Sequence, residues 1–228
     1  MSLPIACIIV FVVAYLLGSI SWGLVISRVF YHVDLREHGS GNIGATNAVR
    51  VLGKVGYVVF VLDFVKGVLS GLAAKIVSSY VAGGAGLTSW EIEAMLLGIS
   101  LLACMWGHVF NPWLHFKGGK GIAVAGGCLL MVFGIWGCLA EIAVFGIVAL
   151  TTRYISAGSI SAAVLCPFVS LFMYVIQTPA GSSPSWVNLL CCLVAAATAI
   201  WAHRGNIQRL RSGTENRMGS KKDRITKQ

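Results

Sequence analysis

The sequence predicts an all-α polytopic integral membrane protein: seven transmembrane helices, an N-terminus outside, and three polar motifs at the cytoplasmic face. Three observations carry this. Of the 228 residues, 57% are hydrophobic and only 11% charged, against about 25% charged in ordinary soluble domains. The apolar residues fall in runs near the roughly 20 residues a helix needs to cross the hydrocarbon. Most of the 17 Lys and Arg, against 8 Asp and Glu, cluster between and after those runs, where cytoplasmic loops carry them.

Residues 5–26 form the first run. It has no basic leader and exceeds the roughly 7 to 15 residues of a signal core, so it is read as an uncleaved span. A polar segment, 31–50, separates it from a second span at 51–76, which carries Asp63 and Lys66. These charges share a helix face at i, i+3 and can pair; charges in lipid are costly, so a buried pair is expected. The glycine-rich turn 82–89 has no basic residue and leads to a third span at 92–109.

The next apolar run, 121–150, holds 30 residues, about 45 Å as one helix and too long for an ordinary crossing. Gly134 and Gly137 offer a place to fold it, which predicts two short helices at 121–135 and 138–151. The sixth and seventh spans are 156–176 and 186–202, joined by the Pro, Ser and Gly-rich turn 177–185. Residues 1–212 read as a single transmembrane domain, and 213–228 as a polar, basic cytoplasmic tail expected to be mobile. Charge parity supports the count, because the basic loops at 28–54, 117–120 and 153 and the tail share one side only if 121–150 crosses twice. Five crossings result if two of the segments insert only partly. The seven cysteines sit inside apolar runs without CxxC spacing, so they read as small hydrophobes rather than as disulfides or a metal site.

This topology gathers three stretches at one face: GSGNIGATNAVR at 39–50, GHVFNPWLHFKGGKG at 107–121 and HRGNIQRLRSGTENR at 203–217. Each is dense in glycine, cations and hydrogen-bonding side chains. Glycines let backbone amides turn inward and lysines supply point charges, so the 116–121 loop reads as an anion cradle. Paired acids for a divalent metal are missing, and no metal or other cofactor is expected. Gly39-x-Gly41-x-x-Gly44 matches a dinucleotide fingerprint by letter but follows no strand, and Gly121 stands where a nucleotide P-loop needs Ser or Thr. No nucleic-acid-binding motif accompanies the basic charge.

The three stretches, with Asp63-Phe-Val-Lys66-Gly67 in the second span, closely resemble the signature motifs of the PlsY-type acyl-phosphate:glycerol-3-phosphate acyltransferases of bacteria. The resemblance implies a seven-helix enzyme of the cytoplasmic (inner) membrane with its active site facing the cytoplasm. It would move a fatty acyl group from acyl phosphate to the 1-hydroxyl of glycerol 3-phosphate. The products would be 1-acyl-glycerol 3-phosphate (lysophosphatidic acid) and phosphate, the first acylation of phospholipid synthesis. Its partners would be those two substrates, the bilayer and, transiently, the enzyme that makes acyl phosphate.

The resemblance assigns Ser40, Arg50, Lys120, His203 and Asn206 to catalysis, and Asn42, Thr46, Asn47, Lys117, Gly118, Gly119, Gly121 and Arg204 to substrate binding. An acyl phosphate is already activated, so the chemistry asks mainly for alignment and charge stabilisation. Arg50 suits fork-like phosphate recognition, Lys120 an amide-lined cradle, and His203 is the titratable candidate, with the proton acceptor left open between it and the departing phosphate. Lys117 alone reads as a membrane-surface anchor rather than a ligand. His108 and His115 suit hydrogen-bond or interfacial roles as well as they suit catalysis, Glu141 suits an interfacial role, and Glu215 a structural pairing with a neighbouring Arg. Departures from the family pattern are Val124 in place of a common Thr, Asn111 and Pro112 before the loop, and Arg217 in place of a frequent Lys.

Two other classes fit the sequence less well. A transporter for a phosphorylated solute would place its site near the bilayer midplane in repeated halves, and no repeat is present. An HxxxxD acyltransferase needs His and Asp five apart, and none of the five His has that partner.

Overall fold

The structure is a computed structural model that describes residues 1–81, 86–180, 182 and 185–219. The described residues are helical throughout: α1 (Leu3–Ser19), α2 (Trp22–Tyr31), α3 (Ala45–Leu52), α4 (Val55–Ser79), α5 (Ser89–Val109), α6 (Ile122–Thr152), α7 (Ile155–Gln177), α8 (Trp186–Ala202) and α9 (Arg204–Arg211), with short 3₁₀ turns at Leu35–Glu37 and Pro112–Leu114. Five stretches are long and apolar enough to cross a membrane: Leu3–Tyr31, Val55–Ser79, Ser89–Leu114, Ile122–Thr152 and Ile155–Met173. The α8–α9 pair, bent by 53°, makes a sixth. The expected turns at 82–89 and 177–185, and the end of the tail, lie partly outside the described residues.

The expected first span divides in two. α1 stops at Ser19, and the released carbonyls of Ser19 and Ile20 accept from Asn111 Nδ2 (2.6 Å) and Lys66 Nζ (2.7 Å) instead of from the next helical turn. A helix ends where other donors take over its carbonyls, and both donors here come from far along the chain. Likewise the expected 51–76 span begins late: α3 ends at Gly53, whose φ of +69° turns the chain, and α4 starts at Val55. The start of α5 is marked by a capping box between Thr88 and Glu91.

α6, 31 residues long, is two helices joined at a kink, as the expected division of this run has it. Gly134 has φ +68° and ψ −171° inside it, a conformation glycine reaches without penalty. Cys138 Sγ consequently lies 3.8 Å from the carbonyl of Gly126, residues that a straight helix would hold about 18 Å apart. The element doubles back, so both its ends face the same side of the bundle.

Glycines let the helices cross backbone to backbone. A methyl on Gly18 would stand 1.9 Å from Cys104 O and one on Gly107 2.0 Å from Tyr15 O, which joins α1 to α5. Gly67 against Val124 O (2.2 Å) and Gly127 against Phe64 O (2.0 Å) join α4 to α6 in the same reciprocal way. Such close approach replaces the hydrophobic drive that lipid cannot supply. One end of the bundle brings Met1 to Tyr80 and Thr88 to Ser182; the other carries the polar stretches. Large apolar side chains such as Ile8, Val29, Phe168 and Val175 are exposed on its flanks, as a lipid-facing surface demands.

Candidate active site

The first polar stretch is shaped by Asn47. This side chain is 1% exposed; its Oδ1 accepts from the amide of Ser40 at 2.8 Å, and its Nδ2 donates toward the carbonyls of Leu35 (3.1 Å), His38 (3.0 Å) and Asn42 (2.8 Å). Asn42 Oδ1 in turn accepts from the amide of Gly44 at 2.9 Å. The polar atoms of Asn47 are spent on the loop itself, so its part is to hold Ser40 and Thr46 in place rather than to reach for a ligand. From this frame α3 projects Arg50 in its last turn.

The second stretch is built differently from its expected form. The amides of Gly118 and Gly119 donate to the carbonyls of Val109 (2.9 Å) and His108 (3.0 Å) at the end of α5, so they satisfy that helix terminus instead of lining an anion cradle. Glycine is required there for contact: a methyl on Gly118 would stand 1.9 Å from His108 O, and one on Gly119 2.2 Å from His108 Nε2. The exposed Lys117 points away with the neighbouring Phe116 and His115, while Lys120 turns inward to donate to Asn206 Oδ1.

The third stretch closes the site. α8 ends at Ala202, and His203, 2% exposed, occupies the bend before α9. Its Nδ1 is 2.8 Å from the carbonyl of Ala199; a carbonyl only accepts, so Nδ1 holds the proton and Nε2 is the basic atom of the neutral ring. Asn206 passes from Lys120 to Glu215, its Nδ2 donating to Glu215 Oε1 at 2.7 Å. Glu215 also accepts from Ser156 Oγ (2.9 Å) and Arg209 Nε (2.7 Å). The start of the expected mobile tail is therefore packed: Thr214 donates to Arg209 O and Met218 to Arg153 O.

These parts surround a cavity of about 470 Å³. Its lining mixes polar side chains, Ser40, Arg50, Asp63, His108, Lys120, His203, Asn206, Arg209 and Glu215 among them, with the apolar Tyr57, Phe60, Ile122, Phe145 and Ile155; Asn42 and Thr46 also border it. Burial, repulsion from Arg209 and Arg50, and a partial offset from Glu215 bring the Lys120 ammonium down to about 8. Burial pushes the Glu215 carboxyl up, but the bonds from Asn206, Arg209 and Ser156 outweigh it and hold it below the ordinary carboxylate value. A partly desolvated cation among further cations and apolar side chains suits an amphiphile with an anionic head.

Of the residues predicted from sequence, Ser40, Asn42, Thr46, Asn47, Arg50, Lys120, Gly121, His203 and Asn206 line the cavity; Lys117, Gly118, Gly119 and Arg204 do not. Arg204 lies over the ring of Trp201 at 4.1 Å instead. Sequence reasoning passed over Ser156 and Arg209, which carry no motif signal of their own. Glu141, expected at the interface, is 6% exposed within the returning limb of α6, and Val124 is a fully buried core residue, away from the cavity. Asn111, another departure, anchors the α1 terminus.

The family model for glycerol-3-phosphate acyltransferase matches residues 8–213. Glycerol-3-phosphate acyltransferase of Chlorobaculum tepidum is 37% identical over 223 residues, covering 92% of this chain and 95% of that one; the Clostridioides difficile protein of that description is 38% identical over 218 residues, covering 95% and 97%. The crystal structure of PlsY (YgiH), an integral membrane glycerol 3-phosphate acyltransferase, in its glycerol 3-phosphate form superposes with a TM-score of 0.77 at 37% identity, over 94% of this chain and 96% of that one. Its lysophosphatidic acid form gives 0.73 at 38% identity over the same shares. The chain belongs to the PlsY family of integral membrane glycerol-3-phosphate acyltransferases.

Proposed function

We propose that this acyltransferase takes its acyl group from acyl phosphate and delivers it to the 1-hydroxyl of glycerol 3-phosphate. The observation that carries the reading is the mixed lining of one cavity: Arg50, Lys120 and Arg209 can hold phosphate, and Tyr57, Phe60, Phe145 and Ile155 can hold an acyl chain. Glycerol 3-phosphate and acyl phosphate both present a phosphate, and cations on three separate elements suit two such groups. In the reaction the hydroxyl oxygen bonds to the acyl carbon, the bond from that carbon to the phosphate oxygen breaks, and phosphate leaves. The hydroxyl proton passes to His203 Nε2 or to the departing phosphate. Cations already in place stabilise the charge that moves onto phosphate and carbonyl oxygen.

In this reading residues 1–212 form one transmembrane domain, and α1, α4, α5, the two limbs of α6, α7 and α8 make seven crossings with the N-terminus outside. The reversal at Gly134 supports it, as does the gathering of Arg50, Lys120, Arg153 and Arg209 at one end. The site then faces the cytoplasm at the cytoplasmic membrane, where the first acylation of phospholipid synthesis draws on a soluble acceptor. Acyl phosphates hydrolyse readily, which favours brief contact with the enzyme that makes them.

The test offers purified protein acyl phosphate or acyl-CoA, each with glycerol 3-phosphate, and follows phosphate release and lysophosphatidic acid. Product from acyl phosphate alone, with one phosphate released per acyl group, is expected. Folded protein that uses only acyl-CoA would overturn the donor assignment.

A further inference from the structure

Asp63 and Lys66 on α4 and His108 on α5 are charged or titratable side chains held inside the bundle, each no more than 3% exposed. Lys66 Nζ lies 2.8 Å from Asp63 Oδ1, 3.0 Å from His108 Nδ1 and 2.7 Å from the carbonyl of Ile20. An ammonium has three protons and no lone pair, so it donates to the Ile20 carbonyl and to His108 Nδ1 while Asp63 balances its charge as an ion pair. His108 Nδ1 must then accept, which places the ring proton on Nε2 and fixes the ring plane.

That ring abuts the glycine loop, since a methyl at Gly119 would fall 2.2 Å from His108 Nε2. The backbone on either side of the ring is tied as well, through Gly119 N to His108 O and Gly118 N to Val109 O. Lys120 is the next residue. A chain of contacts thus runs from Asp63 through Lys66 and His108 to the backbone that aims the inward cation. Apolar residues of similar volume would pack these helices at less cost in desolvation. They would not fix an imidazole in one orientation against Gly119.

We infer that Asp63, Lys66 and His108 form a membrane-embedded positioning network that sets the register of the Lys120 loop for phosphate binding. Asp63 and His108 also border the cavity, and the network acts on Lys120 through the loop. The inference rests on the reading of Lys120 as a phosphate-binding cation, and its test separates the two.

His108→Asn keeps an acceptor near the Nδ1 position, whereas His108→Leu fills the space without one and His108→Gln carries its amide out to the Nε2 position. The measurements are kcat and KM for glycerol 3-phosphate across pH, and hydrogen exchange at the amides of 117–121. His108→Leu is expected to raise KM about tenfold with a smaller change in kcat, and to speed exchange at Gly118 and Gly119. It should also move the alkaline limb of kcat/KM upward, because a looser loop gives Lys120 more water while Arg50, His203, Arg209 and Glu215 still face it. His108→Asn should recover most of each effect. Adding Lys66→Met to His108→Leu should change KM less than Lys66→Met does alone, because the two act through one contact.

Parental KM, limb and exchange in folded His108→Leu would overturn the network. If the Leu variant does not fold, His108→Gln performing as well as His108→Asn overturns it. Wild-type protein inactive with acyl phosphate would sink the functional reading separately, while the exchange comparison still decides whether the network holds the loop.

Discussion

The loops at 39–50 and 117–121 share a composition of glycine, polar residues and cations, yet they are organised by opposite means. In the first, one side chain, Asn47, gathers the amide of Ser40 and the carbonyls of Leu35, His38 and Asn42. In the second, the absence of side chains lets Gly118 and Gly119 lie on the end of α5 and bond to it through backbone. Glycine-rich stretches near a phosphate site are therefore not all anion cradles: here one pair of glycines serves packing, and the cation beside it makes the contact.

The largest effect expected from this contrast is at the second loop. Gly118→Ala sets a methyl 1.9 Å from a backbone carbonyl that cannot swing aside, and kcat/KM should fall about a hundredfold or more through displacement of Lys120. Steady-state assay of the monodisperse variant checks this. Asn47→Ala comes next, since it strands buried carbonyls at about 1 to 3 kcal/mol each; a lowered thermal midpoint together with lost activity is expected. Asn47→Asp should restore only what depends on the Ser40 amide.

Two lysines three residues apart sharpen the comparison. Lys120→Met should raise KM for glycerol 3-phosphate about 10- to 100-fold, as loss of a desolvated charge-assisted contact does. Lys117→Met, at an exposed position, should change it less than about threefold. The pH dependence follows from the same contrast. With its ammonium brought down to about 8 by burial, Lys120 is a cation below that pH and neutral above it, so kcat/KM should fall as pH rises past it. Lys120→Arg stays charged and should lose that limb, which a pH–rate profile reads directly. The smallest change is expected from Arg204→Ala, since Arg204 stacks on Trp201 outside the cavity.

Much of the site was legible before any coordinates. The inward set Ser40, Arg50, Lys120, His203 and Asn206 lines one cavity, and the Asp63–Lys66 pair forms at the spacing expected. Glu215 pairs with Arg209 as a structural acid. What could not be read were contacts between residues far apart in the chain. Ser156 looks like any hydroxyl at a helix start until Glu215 arrives beside it. Glu141 carries a charge that composition sends to an interface, and the returning limb of α6 buries it. The break after Ser19 depends on Lys66 and Asn111, 46 and 92 residues from their acceptors.

By itself the sequence determined what is set by length and composition: apolar runs suited to lipid, one run of 30 residues with glycines near its middle, and cations gathered mostly between and after those runs. These follow from transfer free energies that each segment carries wherever it packs. Only the tertiary structure decided which polar groups are spent on the fold and which remain for a ligand. That division depends on partners brought together across the bundle, as when the end of α5 takes the amides of Gly118 and Gly119 and leaves Lys120 to the cavity. A buried polar group must be satisfied by some neighbour, and which neighbour that is cannot be read from the group's own segment.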